Sequence, residues 1–443
     1  MSDMTENKPE AVPQQATRAG EIFLRWGWVE STVWTEPMLT ALEQGVKGGR
    51  WFSLIDKVHP ERNLNAAFFR VAVNKGAAGV DHVTVTMFED RLEAELKDLS
   101  DALRTGTYRP QAIRRHWIPK PGSQEKRPLG IPTVRDRVVQ TALRQVLEPI
   151  FERDFAAQSY GFRPKRGCKD ALRRVDELLK AGYTHIVDAD LKSYFDTIPH
   201  DRLLALVRKK VSDGKVLTLI DAFLNQGVLD GLEEWTPEEG TPQGAVISPL
   251  LSNIYLDPLD HLMADRGVEM VRYADDFVIL CRSAEDAARA LEMVQQWTAQ
   301  AGLTLHPTKT RIIDAGVESF DFLGYRFENG TRRPRPKSLD KFKDTIRAKT
   351  SRTSGDSLFK IIATLNPTLR GWFEYFKHSK KWTFLPLDKW IRMRLRSLLR
   401  KRLGLKGHGR GADHQRWRNA FFANQGLYSL KRAHELASQS SLR

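Results

Sequence analysis

Cysteine is close to absent: Cys168 and Cys281 are the two in 443 residues, and they lie far apart in sequence. That excludes a disulfide framework and a cysteine zinc site, and it fits a reducing, cytoplasmic setting. Long apolar runs are missing as well. None nears the ~20 residues needed to cross a bilayer, so no membrane partner is expected. The first residues are Glu-, Pro- and Gln-containing, without the basic-then-apolar pattern of a leader. Tandem repeats are absent. With 41% hydrophobic residues and a mean hydropathy of −0.45, the chain reads as a soluble globular protein of several domains.

Acidic residues run short in the last quarter. Residues 331–443 hold 28 Lys and Arg against 7 Asp and Glu, a local net of +21, whereas the first 330 residues hold 42 against 48, a net of −6. The chain's whole positive excess, +15, therefore lies in its C-terminal part. Basic density of this kind, mixed with aromatics, points to a phosphate backbone as partner.

Residues 1–19 are polar and aperiodic, and disorder is expected there. Residues 20–110 read as a helical extension. Trp26, Trp28, Trp34, Met38 and Leu42 mark short amphipathic helices whose aromatics suit a core, and Leu64, Ala67, Phe68, Val71 and Ala72 recur at helical spacing. Residues 111–180 begin with two strand-like pieces around a Pro/Gly turn, the pattern of a hairpin. Residues 181–330 alternate buried-type strands with helices, 331–405 carry two basic helices, and 406–443 form a basic tail. The composition shifts after Asn329, and a domain boundary is placed there.

The chemistry centres on Val271-Arg272-Tyr273-Ala274-Asp275-Asp276-Phe277-Val278-Ile279-Leu280. Two strand-forming runs flank a tight turn, so two carboxylates sit together at a hairpin tip. They are hard to keep ionised without a cation, and Mg²⁺ takes hard oxygen ligands while leaving positions open for phosphate. The strand around Val187 ends in Asp188 and Asp190; both alternate onto one face, so spacing does not choose between them. Lys120 and Arg127 lie on opposite arms of the early hairpin, which suits clamping a triphosphate. The Gly/Pro-rich loop around Gln243 suggests close backbone approach to a flat or phosphorylated ligand. Arg392, Arg394, Arg396 and Arg400 alternate with apolar residues at helical spacing, leaving an arginine face for solvent or phosphate.

Taken in order, these features resemble a group II intron-encoded reverse transcriptase/maturase. Tyr273-Ala274-Asp275-Asp276, the Asp190 to Asp196 stretch, Thr241-Pro242-Gln243-Gly244 and Lys120 with Arg127-Pro128-Leu129-Gly130-Ile131-Pro132 carry the likeness. Gly161-Phe162-Arg163-Pro164, Phe322-Leu323-Gly324-Tyr325 and Leu369-Arg370-Gly371-Trp372-Phe373-Glu374-Tyr375-Phe376 add to it. The resemblance implies an α+β right hand of fingers, palm with antiparallel sheet, and thumb, followed by a basic helical maturase region. It implies that Asp190, Asp275 and Asp276 are catalytic and hold two Mg²⁺ ions, with Mn²⁺ as a substitute. Lys120 and Arg127 would grip the dNTP phosphates, Phe195 would stack under the sugar and exclude a 2′-hydroxyl, and Gln243 would meet the nucleotide. Lys309 would give a proton to pyrophosphate, and Asp188 and Asp196 would play supporting parts. Arg370, Arg392, Arg394, Arg396 and Arg400 would face RNA. The implied partners are a structured intron RNA, an RNA template with a DNA or RNA primer, dNTPs and target DNA.

Longer family members end in a DNA-binding segment and a Cys/His nuclease. Here His408 and His414 lack partners at ligand spacing, so a member without that nuclease is expected. Two alternatives remain: a splicing-only RNA-binding protein, and a domesticated reverse transcriptase in defence or repair. An RNA-templated RNA polymerase is disfavoured by Phe195.

Overall fold

The computed structural model describes residues 24–46, 48–119, 126–409 and 411–440. Its N-terminal helices earn their place by burial. Helix α1 (Glu61–Val73) turns Leu64, Ala67, Phe68 and Val71 inward, onto α2 (Val134–Glu152), whose start is capped by Thr133 accepting from Asp136 N at 3.1 Å. Trp26 and Trp34 are buried in the same core, as their spacing suggested, and Trp34 Nε1 donates to the Gln145 carbonyl at 2.9 Å. Strands β1 (Ile113–Pro119) and β2 (Lys126–Ile131) form the expected antiparallel hairpin, with Pro119 opposite Lys126.

Helix α3 (Cys168–Lys180) leads into β3 (His185–Asp190). The short strands β4 (Val228–Asp230) and β5 (Glu233–Trp235) leave the palm segment and join the fingers sheet, where β4 lies parallel to β1 in the order β2-β1-β4-β5. After α4 (Ser248–Asp265) come β6 (Glu269–Tyr273), β7 (Asp276–Cys281), α5 (Ala284–Gln300) and β8 (Arg311–Asp314). Together with β3 they form the palm sheet, β6-β7-β3-β8, antiparallel throughout. Both of its faces are covered. Val187, Ala189, Phe277 and Ile279 meet α4 and α5, while Ile186, Val271, Val278 and Leu280 meet α3. Two covered faces explain why these strands read as nearly unbroken apolar runs.

A three-stranded sheet follows, β9 (Phe320–Phe322), β10 (Tyr325–Glu328) and β11 (Thr331–Pro334), in the order β11-β10-β9. Asn329 and Gly330, with φ of +48° and +64°, make the turn between β10 and β11. The boundary placed after Asn329 therefore falls inside a hairpin, and the helical unit begins at α6 (Pro336–Lys349), with α7 (Leu358–Phe376) and α8 (Phe384–Arg402) behind it. Charge changes at residue 331, but backbone pairing carries the sheet one strand further. Helix α7 is seated on the palm by reciprocal bonds: Tyr325 Oη donates to the Tyr375 carbonyl at 2.5 Å, and Tyr375 Oη donates to the Leu323 carbonyl at 2.7 Å.

Candidate active site

The β6–β7 turn is two residues long, with Tyr273 paired to Asp276 across it. Ala274 takes φ +60°, a position that favours glycine. Arg272 sits two residues before Ala274 and is wholly buried, as is Asp260 of α4. Arg272 Nε donates to Asp260 Oδ1 at 2.7 Å and its Nη2 to Asp260 Oδ2, while Nη1 donates to Asn253 Oδ1 at 3.0 Å and to the Ala274 carbonyl at 2.8 Å. Asn253 Nδ2 in turn donates to the Gly161 carbonyl at 2.9 Å. A Cβ on Gly161 would stand 2.2 Å from Ala274 N, so the Gly161-Phe162-Arg163-Pro164 loop lies directly on the turn. Arg272, Asp260 and Asn253 received no role from sequence. The available sign was an arginine directly after the core residues Met270 and Val271.

Register brings the acids together. Asp190 is directly opposite Asp276, and Asp188 lies two residues back on the same face, opposite Val278. Like charges in such positions repel. Burial, then the carboxylates of Asp188, Asp275 and Asp190, push Asp276 up to about 7, with Arg335 opposing. Burial chiefly pushes Asp188 up to about 6, although the Arg311 guanidinium lies 3.9 Å away and pulls the other way. Asp275 is also raised, first by burial and then by Asp190. Asp276 is nevertheless exposed at the hairpin tip, so water screens much of this repulsion.

Lys309 reaches the same place. The loop after α5 is pinned beside β3, with His306 N donating to the Asp190 carbonyl at 2.7 Å and Lys192 N to Thr304 O at 2.8 Å. This sets Lys309 Nζ 2.5 Å from Asp190 Oδ2. Among the described residues no three metal-ligating side chains converge closely enough to hold an ion as they stand. The donor set nevertheless suits a hard divalent cation: four carboxylates crowd one corner, and burial with mutual repulsion raises the pKa values of Asp188, Asp275 and Asp276.

A cavity of about 330 Å³ opens between the fingers sheet and the segment after β3, walled by Arg115, Gly130, Phe195, Trp235, Thr241 and Gln243; Asp196 lines it, and the four clustered acids do not. Phe195 is half-buried and meets Tyr194 edge-on at 5.4 Å and Phe162 at 6.4 Å. Thr241 N donates to the Phe195 carbonyl at 2.6 Å, and Gly130 N to the Gln243 carbonyl at 2.6 Å, so the Gln243 loop bridges palm and fingers hairpin. Gln243 Nε2 donates to both carboxylate oxygens of Asp196 at 3.3 Å. Asp196 thus orients Gln243 and stands apart from the cluster at Asp190. Arg127 is exposed on β2; Lys120 lies outside the described residues. Arg115 stacks over Trp235 at 4.4 Å and Trp117 at 5.4 Å, a pairing the sequence did not reveal.

The C-terminal arginines need correction. Arg370 is exposed, over the Tyr428 ring at 5.6 Å, and Arg392 is half-buried. Arg396 is 3% exposed, bonded to the Trp417 carbonyl at 2.9 Å and Asn419 Oδ1 at 2.8 Å. Arg394 bonds Thr350 Oγ1 at 3.1 Å and the Thr350 carbonyl at 3.0 Å, and Arg400 bonds Asp413 Oδ2 at 2.7 Å. These guanidinium groups fasten α8 to neighbouring segments and do not form an open face. Helical spacing marked which residues leave the apolar stripe of α8, but not that Gly409, Asp413, Trp417 and Asn419 pack against it.

Two family models match the chain. "Reverse transcriptase (RNA-dependent DNA polymerase)" covers residues 118–327, and "Group II intron, maturase-specific domain" covers residues 339–417. Protein YkfC of Escherichia coli K12 is 37% identical over 294 residues, which are 57% of this chain and 77% of YkfC. The group II intron-encoded protein LtrA of Lactococcus lactis is 41% identical over 196 residues.

The chain belongs to the group II intron reverse transcriptase/maturase family.

The LtrA match spans 44% of this chain but 32% of LtrA. An uncharacterized 91 kDa protein in the cob intron of Schizosaccharomyces pombe is 32% identical over 324 residues, 59% of this chain and 40% of that one. The reverse transcriptase match begins near the end of β1, takes in the palm sheet and ends within β10; the maturase match begins inside α6. The right-hand architecture expected from sequence is the one observed. No described helix of this reverse transcriptase/maturase is long and apolar enough to cross a membrane.

Proposed function

We propose that this reverse transcriptase/maturase copies RNA into DNA by divalent-metal phosphoryl transfer and binds a structured intron RNA to assist its splicing and mobility. The observation that supports the reading most directly is the meeting of Asp190, Asp275 and Asp276 at one end of the palm sheet. The three carboxylates would hold two Mg²⁺ ions, or Mn²⁺ in their place, which supply activation of the primer 3′-hydroxyl and neutralisation of the leaving pyrophosphate. Lys309 would leave Asp190 on metal loading and then hold a proton for the pyrophosphate oxygen. Arg127, with Lys120 from the same hairpin, would grip the triphosphate as charge-assisted donors. The ring of Phe195, held by its carbonyl bond to Thr241, would fill the space a 2′-hydroxyl needs, selecting deoxynucleotides. Gln243, oriented by Asp196, would meet the nucleotide from the cavity side. An RNA template with a DNA or RNA primer, and target DNA during mobility, would lie along the basic α6–α8 surface.

The test is primer extension on an RNA template with dNTPs and Mg²⁺. Wild type is expected to extend, Asp275→Ala to give no product, and Phe195→Ala to gain ribonucleotide incorporation. No extension by wild type, together with tight salt-sensitive intron RNA binding, would leave a splicing-only protein. Extension without preference for structured intron RNA would leave a domesticated polymerase.

A further inference from the structure

We propose that Arg272 is a positioning residue which, braced by Asp260 and Asn253, sets the backbone of the Ala274–Asp275 turn and so fixes where Asp275 and Asp276 present their carboxylates. The proposal deepens the polymerase reading and rests on it.

The starting point is a guanidinium where the fold has no need of charge. The neighbours of Arg272 on β6, Met270 and Val271, are core residues, and Arg272 and Asp260 are themselves 0% exposed. A well-packed apolar pair commonly stabilises such a site as well as a buried ion pair does. What an apolar pair cannot do is hold a carbonyl. Arg272 Nη1 donates to the Ala274 carbonyl at 2.8 Å. That carbonyl shares its peptide plane with the N–H of Asp275, so fixing one fixes the direction in which the Asp275 side chain leaves the turn. Ala274 holds φ +60° at this peptide, a strained setting for an L-residue that the surroundings must maintain.

Those surroundings are specific. Arg272 N donates to the Gln158 carbonyl at 3.0 Å, and Tyr160 N donates to the Arg272 carbonyl at 2.8 Å, tying the loop before Gly161 to β6. Gly161 then rests on Ala274 with no room for a Cβ, and Asn253 bonds both the Gly161 carbonyl and Arg272. Asn253 and Asp260 are seven positions apart on α4, hence on one face. The turn is therefore registered to a helix of the palm core and is not left as a free hairpin tip. Catalytic groups need placement within about 0.5 Å, which a fraying tip does not supply.

The test separates positioning from stability. Arg272→Met and Asp260→Leu each strand one buried charge, and each is expected to lower Tm. The double variant Arg272→Met/Asp260→Leu removes both charges and is expected to recover most of the lost Tm. Its kcat for dNTP incorporation on an RNA template with a DNA primer is expected to stay about 10²-fold down, the cost of a misplaced reacting group. KM for dNTP and template–primer affinity should stay near wild type, and the Mn²⁺ concentration for half-maximal rate should rise. Recovery of kcat together with Tm would overturn the proposal, because the pair would then be structural alone. Should the double variant fail to fold, Asn253→Ala leaves the ion pair in place and removes the brace to Gly161. A kcat and Mn²⁺ half-saturation unchanged from wild type in that variant would also overturn it. Absence of extension by wild type strikes the polymerase reading instead, so the two failures are distinct.

Discussion

Asp276 faces Asp190 across the sheet and shares its corner with Asp188 and Asp275, and this crowding has a consequence for stability. Its pKa rises from 3.8 to about 7, with Asp188 at about 6. An acid whose folded pKa exceeds its unfolded value binds more protons in the native state. Metal-free stability from this corner therefore falls as pH rises from the unfolded value through about 7, and the full cost is present above that. Asp276→Asn should raise the metal-free Tm in EDTA at about pH 8 and abolish extension. A lower Tm than wild type there would contradict the crowding argument. The Tm gain on adding Mg²⁺ should also grow between about pH 6 and pH 8, as the protons that compete with metal leave. At this scale the acids themselves were readable from sequence, because Asp-Asp between two apolar runs is a local pattern. The choice between Asp188 and Asp190 was not, since both occupy one strand face. Register adds what spacing could not: Asp190 stands opposite Asp276 and Asp188 opposite Val278, while the Asp188 carboxylate also repels Asp276.

At the scale of elements, the Gln243 loop is the joint between palm and fingers. Gly244 adopts φ +109°, and a Cβ there would stand 2.3 Å from the Gly130 carbonyl. Gly244→Ala must part the loop from β2 as well as strain its own backbone. A loss of about 1–3 kcal/mol is expected from the strain, read as a lower Tm. KM for dNTP should rise more than kcat falls, since Gln243 and Phe195 shift while the acids do not. An unchanged KM would mean that the joint does not shape the nucleotide cavity. The β1–β2 hairpin was legible because its turn and strands are contiguous. The parallel pairing of β4 with β1 was not, because it joins stretches more than a hundred residues apart that carry no shared local signal. For the same reason Trp235 and Arg115 escaped notice as the wall of one cavity.

Over the whole molecule, positive charge and nucleic-acid contact have to be separated residue by residue. Lys381, Lys389 and Lys401 are exposed, whereas Arg396 is buried and bonded within the maturase domain. Replacing the three lysines by Ala should weaken RNA binding and reduce the slope of log K against log salt by about 0.7–0.9 for each one that neutralises a phosphate. Tm should hardly move. Arg396→Ala should instead cost about 1–3 kcal/mol of stability by removing the charge-assisted bonds that a buried guanidinium makes to Trp417 and Asn419, read as a lower Tm. An equal loss of RNA affinity with no loss of Tm would return Arg396 to the RNA face.

Local pattern was enough to establish the palm strands, the double-Asp turn, the fingers hairpin, the basic C-terminal unit and the family resemblance, because each is written in contiguous residues through periodicity, turn chemistry or charge. Only tertiary structure could pair Asp190 with Asp276, carry the sheet past Asn329 to β11, turn the α8 arginines into internal fasteners and place Arg272 against Asp260 and Asn253 behind the turn. Those outcomes depend on which distant backbone supplies a partner for a buried polar group, and a strand or helix period contains no record of that.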